Sequence, residues 1–182
     1  MVNIEKTELD GVLIITPKVF KDERGFFLES YNKKKLFEKG IYTEFVQDNH
    51  SKSVKGTVRG LHYMKAPGEV KLVRVIRGKV WDVAVDIRHN SPTFGKWIAV
   101  ELSAENEKQL YIPIGFAHGF CVLSDEAEFV YKCSNYYDPE LETGIQFDDP
   151  EINIAWPTDH PVVSHRDNQN MSFKEYKENP DW

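Results

Sequence analysis

The sequence contains very little cysteine. Only Cys121 and Cys133 occur among its 182 residues. Two thiols are too few for a disulfide scaffold, and they lack the spacing of a zinc-binding knuckle. The simplest interpretation is a pair of reduced thiols, which persist in a reducing compartment. We therefore expect a cytoplasmic protein.

Long apolar segments are missing as well. The longest stretch without a charged residue, 109–124, is too short to cross a bilayer. It is also interrupted by Pro113, Gly115 and His118. Residues 1–11 alternate charged and apolar side chains, whereas a secretory signal has a basic start and an apolar middle. The sequence therefore predicts neither a membrane segment nor a secretory signal.

Positive charge is scarce too. The chain has 23 Lys and Arg residues against 29 Asp and Glu residues, which gives a formal net charge of −6. Nonspecific nucleic-acid binding depends on positive charge, so we expect no nucleic-acid partner. The proportions of hydrophobic residues (41%) and charged residues (29%) are typical of a soluble globular protein and exclude wholesale disorder.

Alternation of apolar and polar side chains is the main structural signal. In segment 79–88 every second residue from Trp81 onward is apolar, while Asp82 and Asp86 are polar, which predicts a half-buried strand. Gly78 precedes this segment and marks a turn. Further strands are predicted over 11–16, 72–77, 98–102 and 127–133. Helical periodicity is confined to 32–39 and 172–178.

This pattern indicates the fold class. Many short strands with almost no helix favour an all-β sandwich or barrel over an α/β fold. At this length a double-sheet jelly roll with short peripheral helices is the natural choice. Periodicity alone leaves other antiparallel sandwiches open. No repeat or linker divides the chain, so we expect a single domain over residues 1–182.

Three polar side chains occupy positions where the pattern predicts an apolar surrounding. His62 lies in an apolar stretch, and histidine is the side chain best suited to act as a general base near neutral pH. By strand parity Tyr131 points inward together with Phe129. Lys71 shares a face with apolar neighbours, and a buried lysine is costly unless it reaches the rim or faces an anion.

A metal site is the competing interpretation of this region. His62, Glu69 and His118 have the spacing of a metal-binding cupin signature, but Met64 stands where that signature has a second histidine. The loss of one imidazole leaves a poor ligand set, and the ammonium group of Lys71 would repel a cation. We therefore predict that the chain binds no metal and needs no cofactor.

Seven short segments follow one another in a specific order. They are 22–26 (DERGF), 47–49 (QDN), 58–62 (VRGLH), 71–75 (KLVRV), 82–86 (DVAVD), 113–119 (PIGFAHG) and 123–127 (LSDEA). Each is a weak signal alone, but from about Leu9 to Asp167 their order and spacing resemble the dTDP-4-dehydrorhamnose 3,5-epimerase family. This resemblance implies a cupin-type double-sheet jelly roll that works as a homodimer on a dTDP-sugar, without a metal.

The resemblance also implies a mechanism. The substrate, dTDP-4-dehydro-6-deoxy-D-glucose, has acidic C–H bonds at C3 and C5 because both carbons adjoin the C4 carbonyl. In the family pattern His62 is the base, oriented by Asp167, and Tyr131 is the acid on the opposite face of the sugar. Lys71 lies against O4, where negative charge develops in the enolate. The implied product is dTDP-4-dehydro-β-L-rhamnose, an intermediate of dTDP-L-rhamnose biosynthesis.

The resemblance to the epimerase family also implies which residues bind the substrate. The resemblance assigns substrate contacts to Arg24, Glu29, Gln47, Asp48, Asn49, Arg59, Lys71, His118, Glu142 and Arg166. Guanidinium groups such as those of Arg24 and Arg59 suit a diphosphate. Amide side chains can hydrogen-bond a thymine edge or sugar hydroxyls, and Tyr137 could stack on the base.

Strand parity poses one problem for this set. In a straight strand Arg59 and His62 would lie on opposite faces, so a shared pocket requires a β-bulge, for which Gly60 is the obvious place.

Three alternatives to this function stay open. One is an epimerase that inverts only C3 or C5 of another dTDP-4-keto-deoxysugar. The others belong to different classes: a metal-dependent cupin enzyme and a sugar-nucleotide binding module without catalysis.

Overall fold

Strands make up most of the structure. A computed structural model describes residues 2–182. The strands are β1 (Asn3–Lys6), β2 (Leu13–Thr16), β3 (Val19–Asp22), β4 (Gly25–Leu28), β5 (Gln47–Val54), β6 (Val58–Met64), β7 (Lys71–Arg77), β8 (Lys79–Asp86), β9 (Trp97–Ser103), β10 (Gln109–Ile112), β11 (Phe116–Val122), β12 (Glu126–Cys133) and β13 (Glu142–Gly144). The helices of the described residues are α1 (Lys33–Phe37), α2 (Phe173–Glu178) and a 3-10 turn (Asp167–Gln169).

The strands form two antiparallel sheets and a separate hairpin. The six-stranded sheet has the order β1-β2-β10-β7-β12-β5, and the five-stranded sheet has the order β13-β6-β11-β8-β9. The hairpin is β3-β4. Val73 and Phe129 of the first sheet pack in one core cluster with Val80 and Phe120 of the second. The predicted all-β double sheet with short peripheral helices is therefore confirmed. No helix within residues 2–182 has the length and apolar character of a membrane span.

Gly78 forms a corner between the sheets. The turn predicted there is confirmed, but the strands it joins belong to different sheets, because β7 lies in the six-stranded sheet and β8 in the five-stranded one. Gly78 has a φ of +73°. A Cβ at this position would lie 2.1 Å from the carbonyl oxygen of Glu126 and 2.4 Å from Oγ of Ser124. The corner therefore needs a glycine both for its backbone conformation and for its close contacts.

Strand β8 is buried on both faces, not half-buried as predicted. Val80 and Ala84 lie in the core between the sheets. Val83 and Val85 face the other way, where the C-terminal part of the chain covers them, including Tyr176 of α2. The alternation was interpreted correctly as a strand. The burial prediction was wrong because the covering segment is distant in sequence.

The β-bulge predicted at Gly60 is present. On β6 and β11, His62 pairs with His118 and Arg59 pairs with Phe120, so three steps on β6 oppose two on β11. A Cβ on Gly60 would lie 2.6 Å from the Cα of Gly119. The bulge reverses the parity of β6, which brings Arg59 and His62 to the same cavity.

Gly78→Ala should destabilise the protein strongly. The matched control is Gly40→Ala, because Gly40 also has a positive φ, +85°, but has open space around its Cβ position. We expect the control to lower the free energy of unfolding by about 1 kcal/mol through backbone strain alone. Overlap with Glu126 and Ser124 should make the loss at Gly78 larger by about 2 kcal/mol. Urea unfolding measures both, and equal losses would contradict the steric account.

Candidate active site

A cavity opens where the two sheets meet. Its volume is about 140 Å³. The lining side chains are Ser51, Arg59, His62, Lys71, His118, Phe120, Phe129, Tyr131 and Glu142. The five-stranded sheet supplies His62 from β6, and the six-stranded sheet supplies Lys71 from β7 and Tyr131 from β12. The structure therefore brings together three of the four residues predicted to be catalytic along the cavity wall.

The fourth, Asp167, lies behind His62. Its Oδ1 is 2.7 Å from Nε2 of His62. Its Oδ2 accepts a hydrogen bond of 3.2 Å from the backbone N–H of Gly60. The backbone N–H of Asp167 donates to Oγ of Ser164 at 3.0 Å. An aspartate that accepts from Nε2–H fixes the histidine tautomer and leaves Nδ1 as the basic nitrogen.

Asp167 stays ionised in this setting. Burial by itself would raise the pKa of this carboxyl group. The hydrogen bond and the charge of His62, together with the Gly60 N–H and Ser164, outweigh burial and hold the pKa below its ordinary value. The family resemblance implied a contact between Asp167 and His62, and the structure contains that contact. The burial of Asp167, with 3% of its surface exposed, was not evident from its position near the C-terminus.

Lys71 is a partly buried cation on the cavity wall. Burial lowers the pKa of its ammonium group, but the negative charge of Glu69 and other nearby acidic groups raise it above the ordinary value. Nζ of Lys71 lies 3.3 Å from Oε2 of Glu69 and 5.8 Å from the centre of the Tyr131 ring. The lysine therefore carries its positive charge beside the phenol.

Tyr131 presents a protonated phenol. Burial raises the pKa of this hydroxyl group, and the nearby charge of Lys71 opposes that effect only in part. The ring packs against Phe129, with ring centres 5.9 Å apart. Its strand belongs to the six-stranded sheet and that of His62 to the five-stranded sheet. The phenol points into the cavity, as strand parity predicts, and it stands on a different wall from the imidazole.

A second histidine–aspartate pair lines the cavity and was not predicted from the sequence. Nε2 of His118 lies 3.0 Å from both carboxylate oxygens of Asp82. Asp82 is completely buried, and burial raises the pKa of its carboxyl group while the charge of His118 lowers it in part. Sequence alternation placed Asp82 on the polar face of β8. Asp82 could be recognised as a site residue only if this face of β8 were known to point inward. The packing of the strands decides that orientation, and the sequence pattern does not show it.

Six of the ten predicted binding residues do not line this cavity. Arg24 is at the turn of the β3-β4 hairpin, with 83% of its side chain exposed and an ion pair of 2.5 Å to Asp22. Glu29 follows the hairpin and pairs with Lys35 at 2.7 Å. Asp48 has the opposite parity to Asn49 on β5, so it lies on the outer face of the six-stranded sheet.

Three more predicted binding residues, Gln47, Asn49 and Arg166, form a hydrogen-bonded rim together with Glu142. Gln47 donates to Oδ1 of Asn49 at 3.1 Å and accepts from the backbone N–H of Tyr137 at 3.0 Å. Arg166 donates to Glu142 at 3.2 Å. The Tyr137 ring is exposed. An amide pair, an exposed aromatic ring and a guanidinium group are suited to a nucleobase and a phosphate.

The three residues with the spacing of a metal-binding cupin signature each pair with a different side chain. His62 pairs with Asp167, His118 with Asp82, and Glu69 with Lys71. Within residues 2–182 no group of three or more His, Cys, Asp or Glu side chains is arranged to hold a metal ion.

Comparison with known protein families identifies the chain. The family model described as dTDP-4-dehydrorhamnose 3,5-epimerase matches residues 6–175. The chain belongs to this family. The resemblance seen in the sequence motifs is therefore confirmed, and so is the prediction of an isomerase with a cupin-type fold.

Individual relatives agree with this membership of the epimerase family. The dTDP-4-dehydrorhamnose 3,5-epimerase of Shigella flexneri is 60% identical, over 94% of this chain and 96% of the relative. A crystal structure of the 3,5-epimerase of Legionella pneumophila Philadelphia 1, in complex with dTDP-4-keto-L-rhamnose, is 50% identical. The two structures superpose with a TM-score of 0.93, and the match covers 96% of this chain and 94% of the Legionella chain. The dTDP-4-dehydrorhamnose 3-epimerase of Streptomyces niveus is 41% identical over 93% of this chain and 83% of the relative.

Asp167→Asn should flatten the dependence of stability on acid pH. A carboxyl group whose pKa is lowered by folding stabilises the folded protein above its unfolded pKa, and this contribution is lost as the pH falls through the folded value. Wild type should therefore lose stability below about pH 4 more steeply than the variant does. Thermal unfolding midpoints across this range measure the difference. Asp148→Asn, at an exposed position, is the control and should follow wild type. Parallel curves for Asp167→Asn would contradict the assignment.

Proposed function

We propose that this epimerase inverts C3 and C5 of dTDP-4-dehydro-6-deoxy-D-glucose to give dTDP-4-dehydro-β-L-rhamnose, a step of dTDP-L-rhamnose biosynthesis. One observation carries the proposal. The imidazole of His62 and the phenol of Tyr131 stand on different walls of one cavity, which also contains the ammonium group of Lys71. Inversion of a carbon requires a base on one face and an acid on the other, and this cavity supplies both.

The first half of each inversion is proton removal by His62. Nδ1 of His62 takes the proton from C3, and the electrons of the C–H bond form the C3–C4 double bond of an enolate. Asp167 accepts from Nε2–H and stabilises the imidazolium that results. The negative charge moves to O4 of the sugar, where the Lys71 ammonium group stabilises it.

The second half is protonation from the opposite face. The O–H bond of Tyr131 breaks, its proton forms the new C3–H bond, and the C4 carbonyl is restored. Because the pKa of Tyr131 is raised, the phenol stays protonated until it donates its proton to the enolate. Each inversion leaves one proton on His62 and removes one from Tyr131, so exchange with water must reset both groups before C5 reacts in the same way.

The other polar groups account for nucleotide binding. Arg59 lines the cavity near His62, and Arg166 stands at the rim beside Glu142. We assign these two guanidinium groups to the diphosphate and the sugar hydroxyls. Gln47, Asn49 and the exposed ring of Tyr137 are assigned to the thymine base. His118 completes the sugar site.

We further propose that the enzyme is a homodimer. The outer face of the six-stranded sheet has a groove formed by Ser30, Asp48, Leu72, Arg74, Ile76, Gln109, Val130 and Lys132. Nε of Arg74 is buried there without a hydrogen-bond partner among the described residues. The β3-β4 hairpin ends two residues before Ser30 of this groove, and more than half of the surface of each of its residues Phe20, Phe26 and Phe27 is exposed. A second copy on this face would cover these groups and allow Arg24 and Glu29 to reach its cavity.

Two broader assignments follow from the same reasoning. The thiols of Cys121 and Cys133 are buried and free, which supports the proposed cytoplasmic location. The two sheets share one core, which supports a single domain over residues 1–182.

Inversion at one carbon only is the second candidate. The Streptomyces niveus relative is named a 3-epimerase and is 41% identical to this chain. The base, the acid and the lysine would serve one inversion as well as two. The two candidates differ in which hydrogens exchange.

Proton exchange in D₂O tests the function directly. With dTDP-4-dehydro-6-deoxy-D-glucose as substrate, we expect NMR to show deuterium at both C3 and C5 and formation of the rhamnose-configured product. Exchange at one carbon would select the single-carbon candidate. Binding without exchange would overturn the enzymatic proposal and favour a binding module. Stoichiometric iron or zinc that is required for turnover would favour a metal-dependent cupin.

Substitutions separate the two proton-transfer roles. His62→Asn should lower kcat by about 10²–10⁴-fold and abolish exchange, because no base remains. Tyr131→Phe should lower product formation by a similar factor but keep some exchange on the His62 face. His160→Asn and Tyr42→Phe, both at exposed positions, should behave as wild type. Equal loss of exchange and inversion in both site variants would contradict the division of roles.

Disruption of the outer face tests the homodimer. Light scattering should give wild type a mass twice that of the 21.1 kDa chain. Val130→Lys places a cation beside Arg74, its partner in strand pairing. This variant should dissociate to monomers and lose activity, because Arg24 and Glu29 no longer reach a second cavity. Val162→Lys, at an exposed position elsewhere, should remain a dimer. A monomeric wild type with full activity would overturn this proposal.

A further inference from the structure

Glu69 is a partly buried carboxylate that the mechanism above does not use. It lies in the loop between β6 and β7, two residues before Lys71. Only 9% of its side chain is exposed. Its Oε2 is 3.3 Å from Nζ of Lys71, whose own side chain is 12% exposed. A carboxylate with so little of its side chain exposed is costly unless it has a charged partner.

The backbone around Glu69 is firmly held. Val70 and Ser134 exchange two hydrogen bonds: the Val70 N–H donates to Oγ of Ser134 at 2.8 Å, and the Ser134 N–H donates to the Val70 carbonyl at 3.0 Å. On the other side of Glu69, Gly68 packs so closely against Trp182 that a Cβ would lie 2.8 Å from its ring. The carboxylate is therefore presented to Lys71 by a loop fixed at both ends.

Five acidic groups face the ammonium group of Lys71. They are Glu69 from the β6–β7 loop, Tyr131 and Cys133 from β12, Glu142 from β13 and, more remotely, Asp82 from β8. Burial raises the pKa of the Cys133 thiol to about 12 and also raises that of the Tyr131 phenol. Both groups are therefore neutral at physiological pH and contribute no charge.

The other two carboxylates already have partners. Glu142 accepts from Arg166 at 3.2 Å, and Asp82 is paired with His118 at 3.0 Å. Among the described residues, Glu69 is the carboxylate within ion-pair distance of Lys71. An ammonium group that is largely removed from water and has no such partner tends to lose its proton, and a neutral amine stabilises an enolate poorly.

We propose that Glu69 is a positioning residue of the epimerase, which holds the Lys71 ammonium group charged and directed at the cavity. This rests on the proposed function, in which Lys71 stabilises the O4 enolate. Glu69 itself touches no reacting atom. It acts through the lysine, and its effect on catalysis is greatest at alkaline pH, where an unpaired lysine would be neutral.

Glu69→Gln tests the proposal, since it keeps the size of the side chain and removes the charge. We expect kcat at pH 7 to fall about 10-fold and the alkaline limb of the kcat–pH profile to move to lower pH by about one unit. KM should change little, because the ammonium group acts mainly on charge that develops in the transition state. Glu101→Gln is the matched control. Glu101 lies on β9, the edge strand of the five-stranded sheet, and its carboxylate is 3.2 Å from the ammonium group of Lys79. Removal of this surface ion pair should leave the kcat–pH profile unchanged.

A second measurement needs no substrate. In protein with ¹³Cε-labelled lysine, assigned by Lys71→Arg, the NMR titration midpoint of Lys71 should fall in Glu69→Gln by a comparable amount. An unchanged midpoint would overturn the proposal. A lowered midpoint with an unchanged kcat–pH profile would also overturn it, because the charge of Lys71 would then have no role in the reaction. An inactive wild type would instead overturn the proposed function, while the titration would still show whether Glu69 keeps Lys71 charged.

A purely structural role predicts a different outcome. Glu69→Gln and Glu69→Ala would then lower the unfolding temperature and the activity in parallel at every pH. Partial recovery of the wild-type profile in Glu69→Asp, which keeps the negative charge on a shorter side chain, would support positioning by charge.

Discussion

A charge inside a β-sandwich is tolerated only with a partner, and the cavity of this epimerase is built from such pairs. His62 has Asp167, His118 has Asp82, and Lys71 has Glu69. The attraction within each pair offsets part of the desolvation cost that a lone ion would impose on the core. The same pairs determine which groups enter the reaction charged and which enter neutral, so the stability of the cavity and its chemistry have one electrostatic origin.

Two glycines allow the sheets to form this cavity. At Gly78 the chain passes from one sheet to the other, and at Gly60 it inserts the extra residue that turns Arg59 and His62 to the same side. Neither contributes a side chain to the site. Their role is geometric, because they place the base on one wall and the acid on the other without a long loop between them.

Local patterns in the sequence predicted much of this structure. Alternation predicted β8, β12 and the inward orientation of Tyr131, and the parity conflict between Arg59 and His62 predicted the bulge. The patterns could not show that the C-terminal segment covers β8, since that contact joins residues far apart in the chain. For the same reason the His118–Asp82 pair went unseen, because strand order, not spacing, brings those side chains together.

The pair of His62 and Asp167 spans 105 residues of the chain. During synthesis on a ribosome, the strand that carries the histidine emerges long before the 3-10 turn that carries the aspartate. Contacts of such long sequence separation form late, because closing a large loop costs entropy before it brings any gain. A nascent or partly folded chain therefore holds an imidazole without its orienting carboxylate.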